Sequence, residues 1–208
     1  MYDLIEYQAK PEPWNKGKLV GQKAPLKPQH IWGIRIHLQM GKNARDLALF
    51  NLAIDSKLRG CDLVKLKVSD VSQNGVIHTR AQVLQQKTER PVKFEITEVT
   101  RDVISVWITE AQLKPWEYLF PSRVDRSNHL STRQYGRIVK RWVTSIGLDP
   151  ANYGTHTLRR TKVSIIYKRT KNLRAVQLLL GHSALESTVR YLGIEVDDAL
   201  ELSENTEI

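Results

Sequence analysis

His156-Thr157-Leu158-Arg159 sets an imidazole and a guanidinium three residues apart, a spacing that on a helix puts both side chains on one face. Thr155 can cap such a helix, so the pair falls at its N-terminus, where free backbone N–H groups already favour an anion. Aimed together at one phosphate, the guanidinium would grip two oxygens while the imidazole handles a proton. Taken alone, the same pair also fits a solvated face of a basic helix. A second set is Leu180-Gly181-His182, followed nine residues later by Tyr191 within Thr188-Val-Arg-Tyr-Leu-Gly193. Gly181 breaks one helix, and Ser183-Ala-Leu-Glu186 has the form of a capping box opening the next, which places His182 at a sharp corner. Tyr191 lies near the end of its short helix, where local rearrangement is cheap. Beside Val189 and Leu192 it also fits a core tyrosine. Leu173 to Leu192 can in addition be read as a helix-turn-helix whose second helix enters a major groove.

The elements that must position these groups are mostly helices. Pro28 opens one that Gly41 ends, and Asn43 caps a second, Ala44 to about Leu58, apolar on most faces and therefore central to the core. Short strands are expected at Val76–Ile77, Val83–Leu84 and Val92–Ile96, separated by Asn74-Gly75 and a polar turn from Gln85 to Arg90. Helical signals resume from Glu98 to Leu113. Ser131 caps a helix that Gly147 closes, His156 to Thr170 forms a basic helix, Asn172 begins one ended by Gly181, and the last ends at Gly193. The expected fold class is mainly α with a small antiparallel β-sheet (α+β). The domain divides as an extended basic N-terminal arm over 1–28, a folded domain over 29–193 and an acidic tail over 194–208. The arm holds Pro11, Pro13, Pro25 and Pro28 with Lys10, Lys16, Lys18, Lys23 and Lys27; a floppy terminus fits the same residues.

Composition narrows the partners. The 208 residues are 41% hydrophobic and 26% charged and carry a net charge of +10, which points to a polyanion, nucleic acid before an anionic membrane. After Tyr191 come Glu195, Asp197, Asp198, Glu201, Glu204 and Glu207 with no Lys or Arg, so the remainder is more basic than the total. The single cysteine, Cys61, makes no internal disulfide, and no zinc-type cluster or carboxylate set suited to Mg²⁺ is present in the sequence. No segment has the apolar length of a membrane span, and a reducing cytosol is the expected location.

His156-x-x-Arg159, Leu180-Gly-His182 and Tyr191, in this order and spacing, resemble the signature of the tyrosine recombinase (phage integrase) family. Leu58-Arg59-Gly-Cys-Asp62-Leu63 resembles the segment carrying that family's first catalytic arginine, and Gln86-Lys87-Thr88 its hairpin lysine. The resemblance covers roughly residue 30 to the C-terminus and implies a site-specific DNA recombinase working through a 3′-phosphotyrosine intermediate, with no metal and no cofactor. It implies the catalytic set Arg59, Lys87, His156, Arg159, His182 and Tyr191, the last as nucleophile, with Asp62 in support. A phenol of ordinary pKa about 10 is a poor nucleophile at neutral pH. Arg59, Arg159 and His182 are candidates to stabilise its anion. Two arginines suit the charge of a pentavalent phosphorus, a hairpin lysine can protonate the leaving 5′ oxygen, and His156 is left as proton acceptor or phosphate partner.

Double-stranded DNA is the implied partner, with Arg160, Lys162, Lys168, Arg169, Lys171, Arg174, Lys16 and Lys18 as candidate contacts. The resemblance further implies a dimer or tetramer on DNA, the tail 194–208 packing on a neighbouring subunit, and room for accessory DNA-bending proteins. Most of the family carries an N-terminal domain that completes a clamp on DNA; with only an arm ahead of residue 29, the chain resembles the short recombinases that invert promoter segments. Type IB topoisomerase-like relaxation and a helix-turn-helix regulator are the alternatives, and a Tyr191→Phe change separates the last from an enzyme.

Overall fold

The computed structural model describes residues 23–193 and Glu204. Helix α2 (Ala44–Ser56) is the axis of the domain, buried from Arg45 to Ser56 with Phe50, Leu49 and Leu52 wholly enclosed. Asn43 starts it by accepting a hydrogen bond from the Asp46 amide at 3.1 Å. Around it pack α1 (Pro28–Met40), α5 (Glu98–Glu110) and α7 (Thr155–Thr170). A helix surrounded in this way needs apolar residues on every face, which is the pattern its sequence has. Two short helices, α3 (Gly60–Val64) and α4 (Val68–Val71), lead from it to the strands.

The strands make two separate ladders. β1 (Ser72–Gln73) pairs with β2 (Val76–Ile77), and β3 (Arg80–Leu84) pairs with β4 (Pro91–Glu95), both antiparallel. Asn74 and Gly75 both adopt positive φ, 52° and 79°, as a two-residue hairpin turn requires. In the longer hairpin the register runs from Arg80↔Glu95 to Leu84↔Pro91, with Ala81, Val92 and Phe94 turned inward. The expected small antiparallel sheet is therefore two hairpins, and Val68–Val71, at the start of that stretch, is helical.

The remaining helices are α6 (Thr132–Ser145), α8 (Leu173–Leu180) and α9 (Leu185–Leu192), with a single 3₁₀ turn at Pro150–Asn152. Ser131 accepts from the Gln134 amide and Asn172 from the Ala175 amide, so both expected caps form. Two caps shift by a residue. Gly154, not Thr155, caps α7, because Thr157 Oγ1 turns back to accept from the Gly154 amide. Ala184, not Ser183, caps α9; the Ser183 carbonyl is held by Gln177 Nε2 at 3.2 Å, which keeps that residue in the corner.

Residues 23–27, expected in the arm, lie on the domain. Leu26 is buried and its amide donates to Thr161 Oγ1 at 3.0 Å, while the Ala24 amide donates to the Asn152 carbonyl. The rest of the arm, Lys16 and Lys18 included, and the tail 194–208 apart from Glu204 fall outside the described residues.

Candidate active site

Each candidate group sits where the chain changes direction. Lys57 ends α2 in the left-handed region (φ 56°), and two residues on Arg59 caps α3 in extended conformation. Lys87 occupies the exposed turn between β3 and β4. His156 and Arg159 fill the first turn or so of α7, His156 exposed and Arg159 buried. Gly181 ends α8 at φ 65°, and a Cβ there would stand 2.5 Å from Val92 Cγ2. The glycine thus serves two needs, a left-handed turn and a close approach of the corner to β4. His182 follows it, and Tyr191 lies one residue from the end of α9.

Tyr191 faces inward onto cations. The Arg160 guanidinium stands 5.4 Å and that of Arg159 6.0 Å from its ring centre, and the His182 ring meets it edge-on at 5.4 Å. Its hydroxyl oxygen is buried without a hydrogen-bond partner among the described residues, as are Arg159 Nη1 and Arg160 Nε. A buried donor or acceptor left unmade costs about 1–3 kcal/mol. Three such atoms fall in this one cluster, with polar capacity that the described residues do not use.

The electrostatics agree. Burial pushes the Tyr191 phenol up to about 12, against the pull of Arg159, Arg160 and Arg59. Burial, then Arg159 and Arg59, lower His182 to about 4. His182 is therefore neutral at pH 7, and its Nδ1 is hydrogen-bonded to the buried Thr188 hydroxyl at 3.1 Å. Desolvation lowers His156 too, followed by Arg159, Arg59, Arg160 and Lys87. Excess positive charge around a buried phenol is what an incoming anion relieves. Arg59 and Arg159 thus act electrostatically on His156, His182 and Tyr191 alike, and Lys87 acts on His156.

Asp62 is buried behind the hairpin. Its Oδ1 accepts from the Gln86 amide at 3.0 Å, so it braces the turn that carries Lys87. Sequence reasoning passed over Gln85. It is fully buried, accepts from Arg59 Nη1 at 2.5 Å and from the Thr88 hydroxyl at 3.0 Å, and its Nε2 donates to the Leu180 carbonyl at 3.4 Å. Arg159 Nη2 donates to the same carbonyl at 2.8 Å.

The basic residues expected on DNA divide. Lys162 is an interior group: its Nζ bonds Asp55 Oδ1 and Glu95 Oε1, each at 2.7 Å, and Glu95 also takes Lys57 Nζ. The charge of this lysine is compensated within the fold by two carboxylates, which corrects its place among the DNA contacts. Arg160 is buried under Tyr191, with Nη1 donating to the Lys23 carbonyl at 2.7 Å, so it belongs to the Tyr191 cluster and not to an exposed surface. Lys168, Arg169, Lys171 and Arg174 are exposed, Lys171 over the Tyr167 ring and Arg174 donating to Gln177 Oε1. Helix α6 adds an exposed basic face, Arg133, Arg137, Lys140 and Arg141, legible in the sequence only once the apolar Tyr135, Ile138, Val139 and Trp142 are set inward.

No helix among the described residues is long and apolar enough to cross a membrane. Residues 35–196 match the model of the phage integrase family. The probable integrase/recombinase YoeC of Bacillus subtilis is 36% identical over 164 residues, which cover 76% of this chain and 82% of that one. Tyrosine recombinase XerD of Rickettsia prowazekii is 27% identical over 154 residues, 69% of this chain; the match spans about half (49%) of that relative's length. Among solved structures, XerA recombinase superposes with a TM-score of 0.72 at 17% identity, covering 90% of this chain and 67% of that one. XerH recombinase bound to its difH substrate gives 0.69 at 19% identity, over 89% and 56%. These structures share the mainly helical fold with small antiparallel ladders. The chain belongs to the phage integrase family, the tyrosine-type site-specific DNA recombinases.

Proposed function

We propose that this domain cuts and rejoins DNA strands through Tyr191, by way of a 3′-phosphotyrosine bond. The observation that carries the reading is the buried, unpartnered Tyr191 hydroxyl set beside the unpartnered Arg159 Nη1. Arg159 and Arg59 hold the non-bridging oxygens of the scissile phosphate, supplying fixed donors where the pentavalent state gains charge. The Tyr191 oxygen bonds to phosphorus as its proton passes to a base, His156 or a water molecule. The bond from phosphorus to the 5′ oxygen breaks, and Lys87, exposed at the hairpin tip, gives that oxygen its proton. Neutral His182, fixed by Thr188, serves as a hydrogen-bond partner of the same phosphate. Attack by another strand's 5′ hydroxyl reverses the sequence and releases the tyrosine. No metal takes part in this scheme; the arginines supply the charge.

Exposed Lys168, Arg169, Lys171 and Arg174, with the basic face of α6, support contact with duplex DNA well beyond one phosphate. Strand exchange between two sites calls for a dimer or tetramer on DNA, with residues 194–208 available for packing on a neighbour and Lys16 and Lys18 for the DNA. A regulator built on α8 and α9 gives no purpose to a tyrosine hydroxyl buried against two arginines.

The test uses a nicked duplex carrying the site that the protein protects, with EDTA present. A covalent adduct on a denaturing gel that disappears in Tyr191→Phe supports the assignment. An adduct that persists in Tyr191→Phe moves the nucleophile elsewhere, and no adduct on a bound site removes strand transfer.

A further inference from the structure

Arg59 does not hold its position alone. Its guanidinium has five N–H donors in a flat fork, on a side chain free to rotate about several bonds. One of those donors, on Nη1, is taken by Gln85 Oε1 at 2.5 Å. That leaves the other edge of the fork, Nη2 and Nε, for a bidentate grip on phosphate. Gln85 is well suited to fix the plane of the fork, because it is itself fixed on every side. It is fully buried, its Oε1 also accepts from Thr88, and its Nε2 donates to the Leu180 carbonyl.

Those contacts reach the rest of the site. Thr88 follows Lys87 in the hairpin turn. Leu180 ends α8, accepts from Arg159 Nη2 at 2.8 Å, and precedes the Gly181-His182 corner. The corner packs beside this amide, since a Cβ on Gly181 would stand 2.5 Å from Val92 Cγ2 and in contact with Gln85 Oε1 at 3.4 Å. One buried amide therefore touches the first arginine, the hairpin of the lysine, and the carbonyl that anchors the second arginine. An apolar residue of the same length would fill the space and hold none of them.

We infer that Gln85 is a positioning residue of the reaction, presenting Arg59 to the scissile phosphate and locking it to the hairpin and to the α8–α9 corner. It touches no substrate; it acts through Arg59. The inference rests on the catalytic reading of Arg59 given above, and the experiment separates the two.

Single-turnover adduct formation is measured at saturating protein on the nicked duplex, alongside DNA affinity, for Gln85→Met, Arg59→Ala and the double variant. Losing a hydrogen bond to a charged group predicts adduct formation about 10- to 100-fold slower in Gln85→Met, with affinity for the duplex within about threefold of the unaltered protein. In the Arg59→Ala background the same change adds less than about twofold, because the group it positions is gone. Gln85→Glu covers the case in which Gln85→Met does not fold. A carboxylate there competes with phosphate for Arg59, so its rate, as a ratio to the unaltered protein, rises as pH falls and the carboxyl becomes a neutral counterpart of the amide. Slowing by the same factor with and without Arg59 overturns the inference, since it marks a merely structural loss. So does a rate within twofold of the unaltered protein in the folded variant. If Arg59→Ala itself cleaves at the full rate, the catalytic reading of Arg59 fails first, and the inference with it.

Discussion

Replacing Lys162 by methionine removes the centre of an interior charge cluster. Its Nζ bridges Asp55, whose side chain is 3% exposed, and Glu95, 36% exposed, while Lys57 Nζ reaches Glu95 and the Asp55 carbonyl from a fully enclosed position. Removing one partner of a buried ion pair typically costs about 3–5 kcal/mol. The structure argues for the low end. Asp55 Oδ2 keeps the Thr97 amide and the Thr97 and Thr100 hydroxyls, and Glu95 keeps Lys57, so only Asp55 Oδ1 is stranded. About 3 kcal/mol corresponds in a domain of this size to a melting temperature lower by about 6–12 °C.

The pH dependence identifies the source of that loss. The Lys162 and threonine hydrogen bonds outweigh burial and hold Asp55 below the ordinary carboxylate range; Lys162 and Lys57 together do the same for Glu95. Depressed carboxylates contribute stability that is complete above an unfolded value of about 4 and disappears as pH falls through the folded values. Lys162 itself is raised, its carboxylate partners outweighing burial, so its share is present below about 10.4 and fades only above that. Thermal melts followed by circular dichroism should therefore show the largest gap between Lys162→Met and the unaltered protein at pH 6–8, closing towards pH 3. A variant melting within about 2 °C at pH 7, or a gap unchanged at pH 3, refutes the reasoning.

Three further outcomes are expected. Tyr191→Phe abolishes adduct formation yet leaves the melting temperature unchanged or raised by a few degrees, since it deletes a buried hydroxyl without a hydrogen-bond partner among the described residues; a clear drop in melting temperature would show that the hydroxyl is satisfied in the folded protein. Gly181→Ala destabilises by about 2–4 kcal/mol, combining positive φ with overpacking at Val92. Adding Val92→Ala recovers only the packing share, and full recovery in a urea melt would mean that φ is not strained. His182, lowered to about 4 by burial first and then by Arg159 and Arg59, stays neutral from pH 5.5 upward in the DNA-free protein; an imidazole resonance titrating near 6.5 would place it in solvent.

The candidate catalytic groups were legible because each stands at or beside a break in regular structure, and breaks are written locally. Asn43, Ser131 and Asn172 cap the helices expected of them, Gly181 and Gly193 end theirs in left-handed conformation, and Lys87 falls in a turn between two short β-rich runs. Signals of that kind need no knowledge of what lies across the fold. The reading failed where a residue's role depends on a distant partner. Lys162 looked like one more cation in a basic helix, but the carboxylates that claim it lie at Asp55 and Glu95 on other elements. Arg160 reads in the sequence as one of several DNA contacts, but it lies beneath Tyr191, thirty-one positions on.

Gln85 shows why the gap falls there. An amide in a polar turn sequence carries no local mark of burial, and its partners Arg59 and Leu180 stand 26 and 95 residues away. Within α7 the helical phase held part of the answer, since Leu158, Thr161 and Val163 are buried around Arg159 and Arg160. That phase predicts inward cations, and inward cations require partners or a ligand. For Lys162 the partners are protein carboxylates; for Arg159 one guanidinium nitrogen finds the Leu180 carbonyl and the other finds nothing among the described residues. The atom left over thus separates the two kinds of inward cation, and the Arg159 guanidinium that carries it stands 6.0 Å from the ring of Tyr191, whose buried hydroxyl is also unpaired among the described residues.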